Sequence, residues 1–334
     1  MPSEVEARSD AYATPLDFAR DERHLCLVTS PDAASIDTVP DSERRGLIGA
    51  LPRPMRPFAC LIRLDRPIGV WLLYWPCAWS VALAGLGEDG LALLLWLALG
   101  AFAMRSAGCV YNDIVDRDLD SKVERTRLRP LASRRVSLAS AWALLAAMSL
   151  IGLVVLLQLN RTAQLVALAS LVLVAAYPFM KRITWWPQAW LGLVFSWGAL
   201  VGWAAVEERI GTGALLLYTG TIFWVIGYDT IYALQDREDD ALVGVRSSAL
   251  ALGRHARLGV SICYALAVTL WAAAIWAVRP EALALLALLP VAAHLLWQVA
   301  ALLQDEGDDA LAKFRSNRFA GFLAFLACLV VGTA

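Results

Sequence analysis

The sequence predicts an all-α protein, a polytopic membrane bundle of about nine transmembrane helices in two pseudo-repeated four-helix halves. Three observations predict it. Hydrophobic residues make up 59% of the 334 residues and charged residues only 18%, with a mean hydropathy of +0.58. Apolar runs close to the ~20 residues that cross a bilayer recur along the chain. Two stretches four spans apart end alike, in closely spaced aspartates. The net charge of -1 says little about partners, because the charges are segregated into loops. The lipid bilayer is the partner expected; neither a nucleic acid nor an obligatory protein partner is.

Residues 1–55 mix Ser, Asp, Pro and Arg without sustained periodicity. They lack a basic region followed by an apolar one and so do not read as a secretory signal. The expectation is a disordered or weakly ordered cytoplasmic extension, with residues 56–334 forming the membrane domain. From Pro54 to Arg66, Phe58, Leu61, Ile62 and Leu64 are mixed with Arg56, Arg63 and Arg66, which suggests a short interfacial helix.

By hydropathy and length the spans run at about 68–87, 91–112, 138–159, 162–180, 187–206, 213–235, 257–278, 281–303 and 318–333. The loops test the count. Basic residues collect after the second, fourth, sixth and eighth spans: Arg117 to Arg135, then Lys181 and Arg182, then Arg237 to Arg257, then Lys313, Arg315 and Arg318. The other loops are nearly free of them. This alternation places the amino terminus and every basic loop in the cytoplasm. The six cysteines show no CxxC spacing and read as small core hydrophobes, and the three histidines have no metal-ligand spacing.

The second span ends in Tyr111-Asn-Asp-Ile-Val-Asp-Arg-Asp-Leu-Asp120, which puts Asp113, Asp116 and Asp120 on one helical face. Asp118 falls off that face, toward solvent. The sixth span ends in Tyr228-Asp-Thr-Ile-Tyr-Ala-Leu-Gln-Asp236, so Asp229, Tyr232, Asp236 and Asp240 share another. Matched acidic ends on spans of the same direction are the signature of a parallel repeat. Carboxylates so close repel one another and are costly to desolvate unless cations share them. Two such faces across a bundle suit Mg²⁺, bound through carboxylates and bridging to a diphosphate, with Asn112 adding a neutral oxygen. Lys122, Arg125, Arg129, Lys181 and Arg246 stand near these faces and suit diphosphate oxygens. Arg105 lies inside the second span, seven residues before Asn112. An intramembrane Arg requires an anion, either an Asp of the opposing helix or a substrate carboxylate.

With these residues in view, the chain resembles the UbiA superfamily of intramembrane aromatic prenyltransferases. Asn112, Asp113, Asp116 and Asp120 match its NDxxDxxxD motif, and Asp229, Tyr232 and Asp236 its second motif. The 4-hydroxybenzoate polyprenyltransferase branch is closest, on Arg63-Leu-Asp-Arg-Pro-Ile-Gly69, Arg129-Pro-Leu131, Tyr177-Pro-Phe-Met-Lys-Arg182 and Gly244-Val-Arg-Ser247. Arg127 stands where small residues are usual and Arg246 where Lys is common. The resemblance implies transfer of a polyprenyl group from its diphosphate to the ring carbon ortho to the hydroxyl of 4-hydroxybenzoate, an early step of ubiquinone biosynthesis. It implies Mg²⁺ on Asn112, Asp113, Asp116, Asp120, Asp229, Asp236 and Asp240, with Asp116, Asp229, Asp236 and Arg105 catalytic. The benzoate would meet Arg105 or Arg182, and Asp229 would face its hydroxyl or act only as a metal ligand. Tyr232 would bond the diphosphate or pack in the bundle. Trp75 and Trp224 are the candidate shields for an allylic cation. A bacterial inner membrane is the expected location, with the active site facing the cytoplasm. The rivals are a superfamily member with another acceptor, such as a naphthoate, homogentisate or haem, and a membrane cation transporter. A transporter needs acidic sites near the midplane, whereas these sit at the helix ends beside bases suited to phosphate.

Overall fold

A computed structural model describes residues 45–121, 126–237 and 246–333, without the side chains of Arg45, Lys181 and Arg182. The described residues contain nine helices or helix pairs long and apolar enough to cross a membrane, and no strand. The chain is an integral membrane protein of the all-helical class the hydropathy predicts.

Among the described residues two short α-helices precede the first span, α1 (Arg45–Ala50) and α2 (Arg56–Leu61). Arg56 caps α1 by donating to the Gly49 and Leu51 carbonyls at 2.6 and 3.0 Å. Ile48 is buried against Ala59 and Cys60. The expected extension therefore ends in a docked helix; residues 1–44 lie outside the described residues. The interfacial helix expected at 54–66 is shorter, because Arg63 stops it in the left-handed conformation at φ 61°.

The spans are α3 (Ile68–Gly85), α4 (Gly90–Asp120), α5 (Leu138–Leu156), α6 (Arg161–Ile183), the pair α7 (Pro187–Ser196) and α8 (Gly198–Glu207), α9 (Thr212–Gln235), α10 (Ser248–Leu252) with α11 (Ala256–Val278), α12 (Leu289–Ala300) after a 3₁₀ segment Ala282–Leu288, and α13 (Gly307–Thr333). Most boundaries fall within three residues of the hydropathy expectation. The last differs by eleven: α13 begins at Gly307, not 318. Lys313 and Arg315 are therefore helical and not in a loop. A hydropathy window rejects this turn for its charge, yet Asp308 and Asp309 favour a helix start and Lys313 pairs with Asp309 one turn away.

The halves are visible in the packing. In each, the second helix packs against the first and the third: α4 on α3 and α5, α9 on the α7–α8 pair and α11. The first spans of the two halves meet, α3 against α8, and α13 closes the bundle on α3 and α9. Lipid supplies no hydrophobic drive between helices, so close approach depends on small residues. Gly202 of α8 is one: a Cβ there would stand 2.6 Å from the Cys77 carbonyl oxygen of α3. Indole N–H groups add cross-links that the bilayer cannot offer, Trp79 to the Gly321 carbonyl at 2.8 Å and Trp197 to the Val166 carbonyl at 2.8 Å. The fifth span is interrupted at Trp197, which lines the cavity and tightens the helix for one turn, its N–H donating to the Val194 carbonyl at 3.4 Å.

Candidate active site

A cavity of about 660 Å³ runs between the halves. One end is polar and carries Arg63, Arg66, Arg105, Asn112, Arg129, Asp229, Tyr232 and Arg315. The other is an apolar limb between α4, α5 and α6, lined by Met104, Gly152, Leu153, Leu156, Leu168 and Leu171 among others. Leu153, Leu168 and Leu171 are 46%, 47% and 44% exposed, so this limb reaches the lipid-facing surface.

The polar end is built from three elements that converge on α4. Arg63 occupies the left-handed position that ends α2 in a Schellman motif: Leu64 N–H donates to the Ala59 carbonyl at 2.9 Å and Arg63 N–H to the Cys60 carbonyl at 3.1 Å. Glycine is the usual residue there, and a non-glycine costs roughly 1 kcal/mol. The side chain so aimed donates from Nη2 to Asp113 Oδ1 at 2.6 Å and from Nη1 to the Cys60 carbonyl at 3.0 Å. Burial works against the Arg63 charge, but Asp113 beside it outweighs that and holds the guanidinium's pKa above its ordinary value.

The loop after α4 folds back to bring in Arg129. Leu131 and Val136 bury themselves against Leu61, Val110 and Ala141, and Thr126 Oγ1 donates to the Asp120 carbonyl at 3.0 Å. Arg129 Nη1 then lies 2.8 Å from Asp120 Oδ2 and 3.3 Å from Asp113 Oδ1. Opposite, Arg105 of α4 lies over the Phe195 ring at 5.4 Å, against the bare backbone of Gly69, with its Nε buried and without a partner. Asp229 of α9 shares this wall of the cavity. Tyr232 packs against Phe314, with ring centroids 4.7 Å apart and the planes tilted by 46°.

Asn112, Arg105, Arg129, Asp229 and Tyr232 thus come together at the polar end. Asp116, Asp120 and Asp236 are buried close behind and do not line the cavity. Asp113, expected on the metal face, is occupied by Arg63 and Arg129. Among the described residues no three acidic, His or Cys side chains are gathered tightly enough to hold an ion by themselves. Lys122, Arg125 and Asp240 lie outside the described residues, as do the side chains of Lys181 and Arg182. Arg246 does not line the cavity: it donates to the Ile183 carbonyl at 2.9 Å and lies over Trp185 at 5.3 Å, because its loop packs against the α6–α7 turn. Trp75 and Trp224 are also outside the lining. Trp75 is buried among Trp71, Phe322 and Phe325, Trp224 among Trp79, Trp271 and Tyr228, since both face neighbouring helices. The rings that do line the cavity are Tyr111, Tyr177, Phe195, Trp197, Tyr228, Tyr232 and Phe314. The sequence places Arg63, Arg66 and Arg315 only as interfacial or loop charges, since the positive φ of Arg63 has no sequence signal.

The chain belongs to the UbiA prenyltransferase family, whose model matches residues 73–329. Among curated proteins it is similar to the mitochondrial 4-hydroxybenzoate polyprenyltransferase of Drosophila melanogaster, 46% identical over 282 residues, covering 83% of this chain and 71% of that one. The protein of the same name from Caenorhabditis elegans is 39% identical over 318 residues, 93% of this chain and 88% of its own. Among solved structures, the apo UbiA homologue of Aeropyrum pernix K1 is 29% identical with a TM-score of 0.63, over 76% of this chain and 96% of its own. A UbiA homologue of Archaeoglobus fulgidus bound to GPP and Mg²⁺ shares the fold at 17% identity and a TM-score of 0.61, over 83% and 99% of the two chains.

Proposed function

We propose that this protein transfers a polyprenyl group from polyprenyl diphosphate to the ring carbon ortho to the hydroxyl of 4-hydroxybenzoate, as its curated relatives are named to do. The observation that carries this is the shape of the cavity: a cationic and acidic end continuous with an apolar limb that reaches the lipid. A prenyl diphosphate has the same division.

The donor chemistry fits Mg²⁺. The candidate ligands Asn112, Asp113, Asp116, Asp120, Asp229, Asp236 and Asp240 offer only hard oxygens, and those among the described residues stand at the ends of α4 and α9 beside the cavity. Mg²⁺ takes one or two carboxylates and would complete its shell with phosphate oxygens, which a diphosphate in the cavity would supply. When bound, Mg²⁺ neutralises the diphosphate leaving group. The chain's own part is threefold. Arg63 and Arg129 hold the diphosphate oxygens with charge-assisted hydrogen bonds; Lys122, Arg125 and Lys181 are further candidates for this task. Arg105, its Nε unsatisfied, takes the benzoate carboxylate and so fixes the ring against the allylic carbon, with Arg182 the alternative. Asp229, on the same wall, accepts the hydrogen bond of the ring hydroxyl and raises electron density at the attacked carbon. Phe195, Tyr177 and Tyr228 line the cavity, where their aromatic surface suits a developing cation and helps to exclude water. The allylic C–O bond breaks as the diphosphate leaves, the new C–C bond forms at the ortho carbon, and the released diphosphate takes the ring proton as aromaticity returns.

The transferase unit is assigned to residues 56–334 and residues 1–55 to an extension. We place the polar end on the side of the membrane that holds the basic loops. The curated relatives are named mitochondrial, so a bacterial inner membrane has no support from them, and an energy-converting inner membrane of either kind satisfies the charge bias. The test is prenyl transfer in membranes from geranyl diphosphate to radiolabelled 4-hydroxybenzoate, with and without Mg²⁺. Product that needs Mg²⁺ supports the assignment; no product with this acceptor, alongside product with a naphthoate or homogentisate, overturns it.

A further inference from the structure

We propose that Asp113 is a positioning residue that clamps Arg63 and Arg129 in the diphosphate-binding geometry, and not one of the metal ligands. This rests on the diphosphate reading of the polar end.

Two observations support it. Asp113, 1% exposed, stands behind the wall that Arg63, Arg129 and Asn112 form, as Asp116 and Asp120 also do, and what sets it apart is its partners. Its Oδ1 takes both guanidiniums, at 2.6 and 3.3 Å, so the charge a metal would share is already matched by two cations. Two guanidiniums this close repel one another, and a buried carboxylate between them is what makes the pairing tolerable. Finally, Arg63 reaches Asp113 only because the chain holds a non-glycine residue in the left-handed region at the end of α2. Backbone strain of that kind persists where the surrounding structure needs the side chain in one place.

The donors left over are the useful ones. A guanidinium carries five N–H bonds. Arg63 spends two of its nitrogens on Asp113 and the Cys60 carbonyl, and Arg129 spends Nη1 on Asp113 and Asp120. The remaining donors belong to side chains that face the cavity, where a diphosphate needs a fork of fixed direction. The rival reading has one atom in its favour: Asp113 Oδ2 is buried without a partner and is the oxygen a metal would take.

The experiment uses the full chain in lipid nanodiscs and reads two binding curves: radiolabelled geranyl diphosphate at saturating Mg²⁺, and Mn²⁺ at saturating geranyl diphosphate by electron paramagnetic resonance. Asp113→Asn should weaken geranyl diphosphate about tenfold or more and leave the Mn²⁺ midpoint within about twofold, while Asp116→Asn shifts the Mn²⁺ midpoint. Asp113→Glu should recover part of the loss. A Mn²⁺ midpoint displaced in Asp113→Asn as far as in Asp116→Asn overturns the proposal, and so does unchanged binding of the donor. Should Asp113→Asn not fold, Arg63→Gln decides: weaker donor binding with unaltered Mn²⁺ supports the clamp, and a Mn²⁺ site tightened about tenfold by the released carboxylate overturns it. Failure of the wild type to bind geranyl diphosphate would remove the underlying diphosphate reading, which is a separate result.

Discussion

The guanidinium of Arg105 touches Gly69 so closely that a single methyl group tests the acceptor site. A Cβ at residue 69 would stand 2.5 Å from Arg105 Nε and 2.9 Å from Nη2, where ordinary contact begins at 3.4 Å. The guanidinium must therefore retreat by about 0.9 Å, the difference between 3.4 and 2.5 Å. It is the end of a flexible side chain, so folding should survive Gly69→Ala with little change in thermal midpoint. Function should not. A misplacement of about 1 Å in a positioning group can cost up to about a hundredfold in rate. The assay is steady-state transfer in membranes with each substrate varied in turn. The expected result is an apparent KM for 4-hydroxybenzoate raised roughly ten- to a hundredfold, with that for geranyl diphosphate within about twofold. A rise confined to the prenyl donor would move Arg105 to the diphosphate. No change in either would remove it from the site.

Three further outcomes are expected. Gly152→Leu puts bulk where a Cβ would already lie 2.6 Å from Met104 Sδ, in the apolar limb; the ratio of kcat/KM for farnesyl over geranyl diphosphate should fall, and an unchanged ratio would place the tail elsewhere. Burial, helped by Asp65, pushes the Cys60 thiol from 9.0 up to about 11. Because the thiolate is the nucleophile, peptide-resolved alkylation of Cys60 in the folded protein should rise about tenfold per pH unit until about pH 11, and a midpoint near 9 would contradict the burial. Asn317→Leu strips Trp224 Nε1–H of its acceptor at 2.9 Å. It should cost about 1–2 kcal/mol and lower the thermal midpoint in detergent while transfer persists at low temperature. An unshifted midpoint would mean the indole finds another acceptor.

The spans and their sidedness were legible because both follow from composition along the chain: apolar length sets a span and Lys/Arg bias sets its direction. Asn112, Asp113, Asp116 and Asp120 could be placed on one face from spacing alone, since the helix simply continues through them. Asp113 shows the limit of that reading. Spacing puts it beside its neighbours, but whether a carboxylate meets a metal or a guanidinium depends on what arrives from residues 50 and 16 positions away. Trp75 and Trp224 fail for the same reason, as an indole inside a span looks alike in sequence whether it faces a cavity or the next helix. The start of α13 was hidden by its charge, and with it Arg315's place in the cavity.

Local chemistry by itself determined that this chain crosses a membrane about nine times, which ends gather acid and base, and that two halves repeat. Periodicity and transfer energy act over one helix, so one helix of sequence is enough to read them. Tertiary structure alone decided which of those charges face the cavity, which are spent on one another, and where the apolar limb opens. Those outcomes depend on a left-handed turn at Arg63, a loop folded back at Arg129 and a glycine at 69. Each joins residues that no local pattern connects.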